Sequence, residues 1–281
     1  MKIALCVGNL ASKGRQGDGA YKIGYQHIKS NLIDKFKNID VFLHSCELEL
    51  EHELINLYKP IKSKFEKSPD FSDKYKNLDT KYCNAGNPQT LTYPNLFSMM
   101  YSRYCLGKLK SEYELEKGFV YDWVIFVRYD ISSAPHIEGI TFDENLNNSF
   151  IYSSMFNQLN CGPQDQWFYS NSKNMNIIFS LYDNLEEYFK TDSDFILSAN
   201  NNWIDSNIND RVSCELLLPK DKKTNIGEKI PFGYISNGHL IYKWHLYINN
   251  LWNLENLKFI LSKYNVSQGH PINKHDNIIN L

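Results

Sequence analysis

"YDWVIFVRYDISS", residues 121–133, decides the fold. Trp123 to Val127 are five apolar residues without a break, rich in β-branched and aromatic side chains. Such a run reads as a strand buried on both faces, the signature of a parallel sheet covered by helices. It stops abruptly at Arg128, Tyr129 and Asp130. Charge at the mouth of a buried strand is costly unless it is paired or used. Either the two groups form a structural ion pair, or they meet a ligand.

Working outward, "NLFSMMYSRYCLGKLKSEYELEKG" (95–118) predicts a long helix closed by Gly118, which leads straight into the 123–127 strand. Near the start, "KIALCVG" (2–8) is an apolar strand ended by glycine. A Gly-rich loop follows, then an amphipathic helix over about 21–36, then a strand at "DVFLHS" (40–45). Strand, loop, helix and strand within forty-odd residues make a βαβ unit. "ELELEHELINLY" (47–58) predicts a helix, "KPIKSKFEK" (59–67) a solvated helix face, and 60–92 as a whole a mobile excursion. Further strands are expected at "SFIYSS" (149–154), "QWFYS" (166–170) and "IPFGYI" (230–235). Helices are expected from about Lys173 and from near Ile204 to "CELLLPKDKK" (214–223), with a loosely ordered tail from about residue 265. With no repeat and no linker, the expectation is one α/β domain over residues 1–281, its mostly parallel central sheet carrying helices on both faces.

Composition narrows the function. Thirty Lys and Arg oppose 32 Asp and Glu, a net charge of −2, and no long basic block occurs, so nucleic acid is not an expected partner. No apolar stretch approaches the roughly 20 residues of a membrane span. The run from Ile3 to Val7 is too short for the core of a secretory leader. A cytoplasmic protein is expected, with peripheral contact at the inner face of a membrane compatible with the sequence. The six cysteines form no C-x-x-C pair and read as free thiols. There is no G-x-S-x-G elbow, no kinase signature, and neither G-x-G-x-x-G nor G-x-x-x-x-G-K after the first strand.

In an open α/β sheet, ligands bind beyond the carboxyl ends of the strands. Three segments are expected to converge there. The first is the loop "GNLASKGRQGDGAYK" (8–22), whose Gly8, Asn9 and Arg15 suit a phosphate at a helix N-terminus. The second is Arg128-Tyr129-Asp130: Asp130 offers the hard oxygen that Mg²⁺ or Mn²⁺ prefers, and Arg128 can pair with it or reach a phosphate. The third is "CGPQDQWFYSNSKNM" (161–175). Asp165, in a Gly-Pro turn, can take a proton from a sugar hydroxyl, Gln164 and Gln166 can hydrogen-bond hydroxyls, and Trp167 can pack on a sugar ring. Trp167 and Phe168 are expected to raise the pKa of Asp165 and so make it a base near neutrality. Glu215, at the start of an apolar turn, is the second candidate base.

Taken in order, the Lys-Ile strand, "DVFLHS", "NLFSMMY", "YDWVIFVRYD" and "DQWFYSNSKNM" resemble GT-A-like sugar transferases of bacteria and large viruses, of the kind found with capsule or lipooligosaccharide genes. The resemblance spans about residues 1–220. It implies transfer of a sugar from a nucleotide-diphosphate sugar to a hydroxyl of a surface polysaccharide or glycolipid, including oligosaccharide or lipid-linked acceptors. Arg128-x-Asp130 resembles the metal- and diphosphate-binding Asp-x-Asp motif with its first Asp replaced by Arg. The resemblance also implies a late histidine on a Mn²⁺ or Mg²⁺ ion, for which His239, after Asn237-Gly238, is the candidate. A nucleotidyl- or phosphoryl-group transferase acting on surface glycans shares this logic. A carbohydrate-binding protein without activity explains the aromatics but not Arg128-x-Asp130.

Overall fold

The computed structural model describes residues 1–11, 19–83, 91–133, 137, 139–154, 163, 165–200, 238–252, 257–260 and 278–279. The strands β1 (Ile3–Gly8), β2 (Ile39–Ser45), β3 (Lys62–Phe65), β4 (Trp123–Arg128), β5 (Ile151–Ser154), β6 (Trp167–Ser170), β7 (Leu257–Ile260) and β8 (Ile278–Ile279) form one sheet. Its order is β3-β2-β1-β4-β6-β5-β7-β8. The pairs β2–β3, β1–β2, β1–β4 and β5–β7 are parallel, while β6 runs antiparallel to both β4 and β5, and β8 to β7. This is the mostly parallel α/β sheet that the sequence predicts.

The pleat sorts each central strand into two faces. Ala4, Cys6, Phe42, Val124 and Phe126 pack under α4 (Tyr93–Lys117), α5 (Ser172–Phe179), α6 (Leu181–Tyr188) and α8 (Gly238–Ile248). Ile3, Leu5, Val7, Val41, Leu43, Trp123, Ile125 and Val127 pack under α1 (Ala20–Ile28) and α2 (Glu51–Tyr58). Val124 to Val127 are wholly buried. At roughly 1.5–3 kcal/mol for each fully buried large apolar side chain, this strand is an anchor of the sheet. Short helices α3 (Ser72–Tyr75) and α7 (Asp194–Asn200) complete the α-helices of the described residues.

The expected elements recur with some changes. The first helix ends at Ile28 and continues as a π turn over Lys29–Ile33. Helix α4 has Thr92 as N-cap and Gly118, at φ 66°, as its left-handed C-cap. "KPIKSKFEK" is not a helix face. Its core is β3, paired in parallel with β2, and the expected excursion therefore begins by adding an edge strand. All four β3 residues are partly exposed, so the segment has no apolar run to betray it. "GHLIYKWHLYI" (238–248) is the helix α8, so His239 sits in its first turn. The predicted strand 230–235, the helix ending near 223 and nearly all of the tail lie outside the described residues.

Candidate functional site

The chain runs from β1 to β2 and β3 on one side of the sheet, whereas β4 lies on the other side of β1. The exits of β1 and β4 therefore lie side by side at the carboxyl ends of two parallel neighbours, the end of an open α/β sheet at which ligands bind. Gly8 and Arg128 face each other in the β1–β4 register. The Arg128 N–H donates to the Gln166 carbonyl (3.1 Å), and the Tyr129 N–H to the Gly8 carbonyl (3.3 Å). Thus the three predicted segments do converge: the exits of β1 and β4 and the turn before β6.

Each exit is held from below. Asn9 takes a left-handed φ of 76° and its N–H donates to Ser102 Oγ on α4 (3.0 Å). The Ala11 N–H donates to the buried Glu47 carboxylate. After β4, Tyr129 turns into the α1 side and is fully buried. Helix α1 reaches this turn only because residue 24 is glycine: a Cβ there would stand 1.9 Å from the Tyr129 carbonyl oxygen.

Alternation along β4 sends Arg128 to the α4 and α8 side, where charged groups gather. Asp130 is 1% exposed and takes a two-pronged contact from Arg128, Nε at 2.9 Å and Nη2 at 2.6 Å. Arg128 Nη1 stands 4.0 Å from Asp165 Oδ1, and the Arg128 side chain is one-quarter exposed. Below them lies Arg103 of α4, 1% exposed. Its Nη2 donates to the Asp165 carbonyl (2.8 Å) and lies 3.3 Å from Asp165 Oδ2. Its Nη1 donates to the Tyr242 hydroxyl of α8 (2.8 Å), and its plane lies over the Phe126 ring. With its amide oriented to suit its neighbours, Asn9 offers its oxygen to Arg103 Nη2 and its nitrogen to the Met99 carbonyl, both at 3.3 Å. Gly238 opens α8 beside Asp165: a Cβ there would be 3.4 Å from Oδ2. His239 Nδ1 donates to the Pro163 carbonyl (2.8 Å).

The electrostatics overturn one expectation. Burial pushes the Asp165 carboxyl up, but the charges of Arg103, His239 and Arg128 outweigh it and hold the pKa down at about 2. Trp167 and Phe168, the residues expected to raise it, are instead wholly buried core residues of β6. Trp167 stacks on Tyr169 at 5.5 Å and presents no face to a sugar ring. Gln166, 6% exposed, serves the sheet through its carbonyl.

The divalent ion expected at Asp130 and His239 does not fit this donor set. Both Asp130 oxygens face the Arg128 guanidinium, which places a positive charge where the ion would stand. Among the described residues the cluster with metal-ligand chemistry lies elsewhere, at His44, Glu66 and Cys105. Arg15, Gln164 and Glu215 lie outside the described residues.

Sequence reasoning missed Arg103 and Tyr242. A signal existed in α4: Leu96, Met100, Arg103, Gly107, Lys110 and Glu114 recur at spacings of three and four and are all buried. An arginine in that stripe must have partners on the next layer.

No helix of the described residues is long and apolar enough to cross a membrane. No family model matches the chain, and no curated protein matches it in sequence. Among solved structures, the chain is similar to mouse xyloside xylosyltransferase 1 in its apo form, with 14% identity and a TM-score of 0.39 over 72% of this chain and 75% of that one.

Proposed function

We propose that the chain is a nucleotide-sugar-dependent glycosyltransferase. The observation that carries this reading is the Arg128–Asp130–Asp165–Arg103 cluster at the neighbouring exits of β1 and β4. The sequence resemblance supplies the reaction class: sugar transfer to a hydroxyl of a surface polysaccharide or glycolipid, in the cytoplasm. The donor diphosphate docks on the exposed edge of Arg128, beside Gly8, Asn9 and Arg15. Arg128 then supplies the positive charge that a departing diphosphate requires, where the related motif would use an ion on its first carboxylate. Asp130, wholly engaged, fixes the guanidinium in place.

Asp165 faces the same space and is ionised at neutral pH, so it accepts a hydrogen bond from a sugar hydroxyl. With a pKa of about 2 it is a weak base in the free protein. A bound diphosphate draws off the charge of Arg128 and raises that pKa, which couples donor binding to proton transfer. Glu215 is the second candidate base and Gln164 a candidate acceptor contact in this reading.

The test is product release from a panel of UDP-, GDP- and CDP-sugars. Wild-type protein should release nucleoside diphosphate, with transfer or slow hydrolysis of the sugar. Asp165→Asn should lower turnover by about 10²–10⁴ and keep donor binding. Wild-type turnover in Asp165→Asn would remove Asp165 from the reaction. Release of nucleoside monophosphate would mark a phosphoryl-group transferase instead, and no response to any nucleotide would mark a carbohydrate-binding protein.

A further inference from the structure

A second cluster lies between the ends of β2 and β3 and the middle of α4. His44 is wholly buried and Cys105 is 3% exposed. The Glu66 side chain, just past β3, is about one-quarter exposed. His44 Nε2 stands 3.2 Å from Glu66 Oε1, and Cys105 Sγ stands 4.0 Å from the same oxygen. The three ligand atoms all lie within 4.8 Å of one another. A tetrahedral zinc ion, with bonds of about 2.0–2.3 Å, needs its ligands about 3.5 Å apart. Shifts of a few tenths of an ångström to about one would close the set.

We infer that His44, Glu66 and Cys105 form a zinc site, independent of the proposed sugar transfer. One imidazole, one carboxylate and one thiolate suit zinc better than a hard ion such as Mg²⁺. The supports that a metal site needs behind its ligands are already present. Ser102 Oγ bonds His44 Nδ1 (2.9 Å) and so fixes the ring with Nε2 towards the site. The Tyr101 hydroxyl donates to Glu66 Oε1 (2.9 Å).

The pocket also already holds a cation. Lys64 Nζ lies 2.7 Å from Glu66 Oε1 and 3.8 Å from Cys105 Sγ. Its side chain is 42% exposed, so it can leave for water, whereas His44 and Cys105 cannot. On zinc binding the Cys105 thiol loses its proton to solvent. The His44 ring carries its proton on Nδ1, donated to Ser102. Glu66 and the thiolate neutralise the ion, and Lys64 withdraws still charged. The metal would tie β2, β3 and α4 together.

Chelator-stripped protein is titrated with zinc against a chromogenic chelator, and its melting temperature is followed in parallel. Wild type should take one zinc per chain at this site and melt higher with zinc than without. Cys105→Ser should lose that zinc and the shift, and Cys83→Ser should keep both. Ser102→Ala should weaken binding about 10–100-fold, and Lys64→Met should tighten it. Cobalt in place of zinc should give a thiolate charge-transfer band in wild type that Cys105→Ser lacks. Absence of zinc uptake by wild type and Lys64→Met, or equal uptake by wild type and Cys105→Ser, would overturn the site. Neither result bears on nucleotide binding, so the two readings fail separately.

Discussion

Asp165 shows how one residue's chemistry is set by neighbours the local sequence does not name. Its turn, "GPQDQ", marks it as a rim carboxylate, and that much is legible from residues 162–166. Its ionisation is not, because Arg103 lies 62 positions away and reaches it only through the fold. The depressed pKa has a measurable consequence. Protonation below the ordinary carboxylate value of 3.8 is resisted by the folded state, which therefore gains stability above that pH and loses it as pH falls towards about 2. The increment is on the order of 2 kcal/mol. Urea midpoints between pH 5 and 2 should fall more steeply for wild type than for Asp165→Asn, and parallel curves would contradict the assignment. Removing the other partner should cost more. Arg103→Met leaves a nearly buried carboxylate uncompensated and should lower stability by about 3–5 kcal/mol, read as a drop in melting temperature. A loss below 1 kcal/mol would mean that the pair is dispensable.

At the scale of elements, what could be read and what could not divide along burial. β1 is apolar throughout and β4 is apolar as far as Val127, and both are legible as strands. β3, "KSKF", is a partly exposed edge strand and reads as polar surface. Helix α8 hides for the opposite reason. From Leu240 to Leu246 every residue is buried, polar Lys243 and His245 included, so no apolar stripe stands out. Two junctions can be tested. Gly24→Ala forces α1 off the Tyr129 carbonyl, an overpacking that should cost about 1–3 kcal/mol or more and shift the Arg128–Asp130 turn. Unchanged stability would show that the helix can retreat freely. The second is His245, where α8 meets α5 and α6. It accepts from the Tyr188 hydroxyl at Nδ1 (2.7 Å) and donates from Nε2 to the Ile177 carbonyl (2.7 Å). The Tyr188 bond requires a ring unprotonated at Nδ1; the Ile177 bond favours the charged form, but burial outweighs it and lowers the pKa from 6.5 to about 4. The unfolded chain therefore takes up the proton first. This contribution is complete above pH 6.5 and is lost as pH falls to about 4. Melting curves over that window should be flatter for His245→Gln, starting from lower stability, and an equal slope would contradict the buried neutral ring.

For the whole molecule, the decisive fact is sheet order. Local patterns can name strands, yet they cannot say that β4 lies beside β1 or that β6 inserts antiparallel between β4 and β5. That order brings Gly8, Arg128 and the Asp165 turn to one place and buries Arg103 beneath it. It also shows how a buried strand can end in an arginine and an aspartate: Asp130 clamps Arg128, whose side chain stays one-quarter exposed. In the proposed reaction the exposed edge of Arg128 receives a diphosphate without a metal at Asp130. Calorimetric titration of UDP, GDP and CDP into wild type and Arg128→Ala, each with Mn²⁺ and with EDTA, tests this. At least one nucleoside diphosphate should bind wild type in EDTA, and Arg128→Ala should weaken it by more than about tenfold, the loss of one charge-assisted contact. Binding that requires Mn²⁺, or that survives Arg128→Ala unchanged, would contradict it.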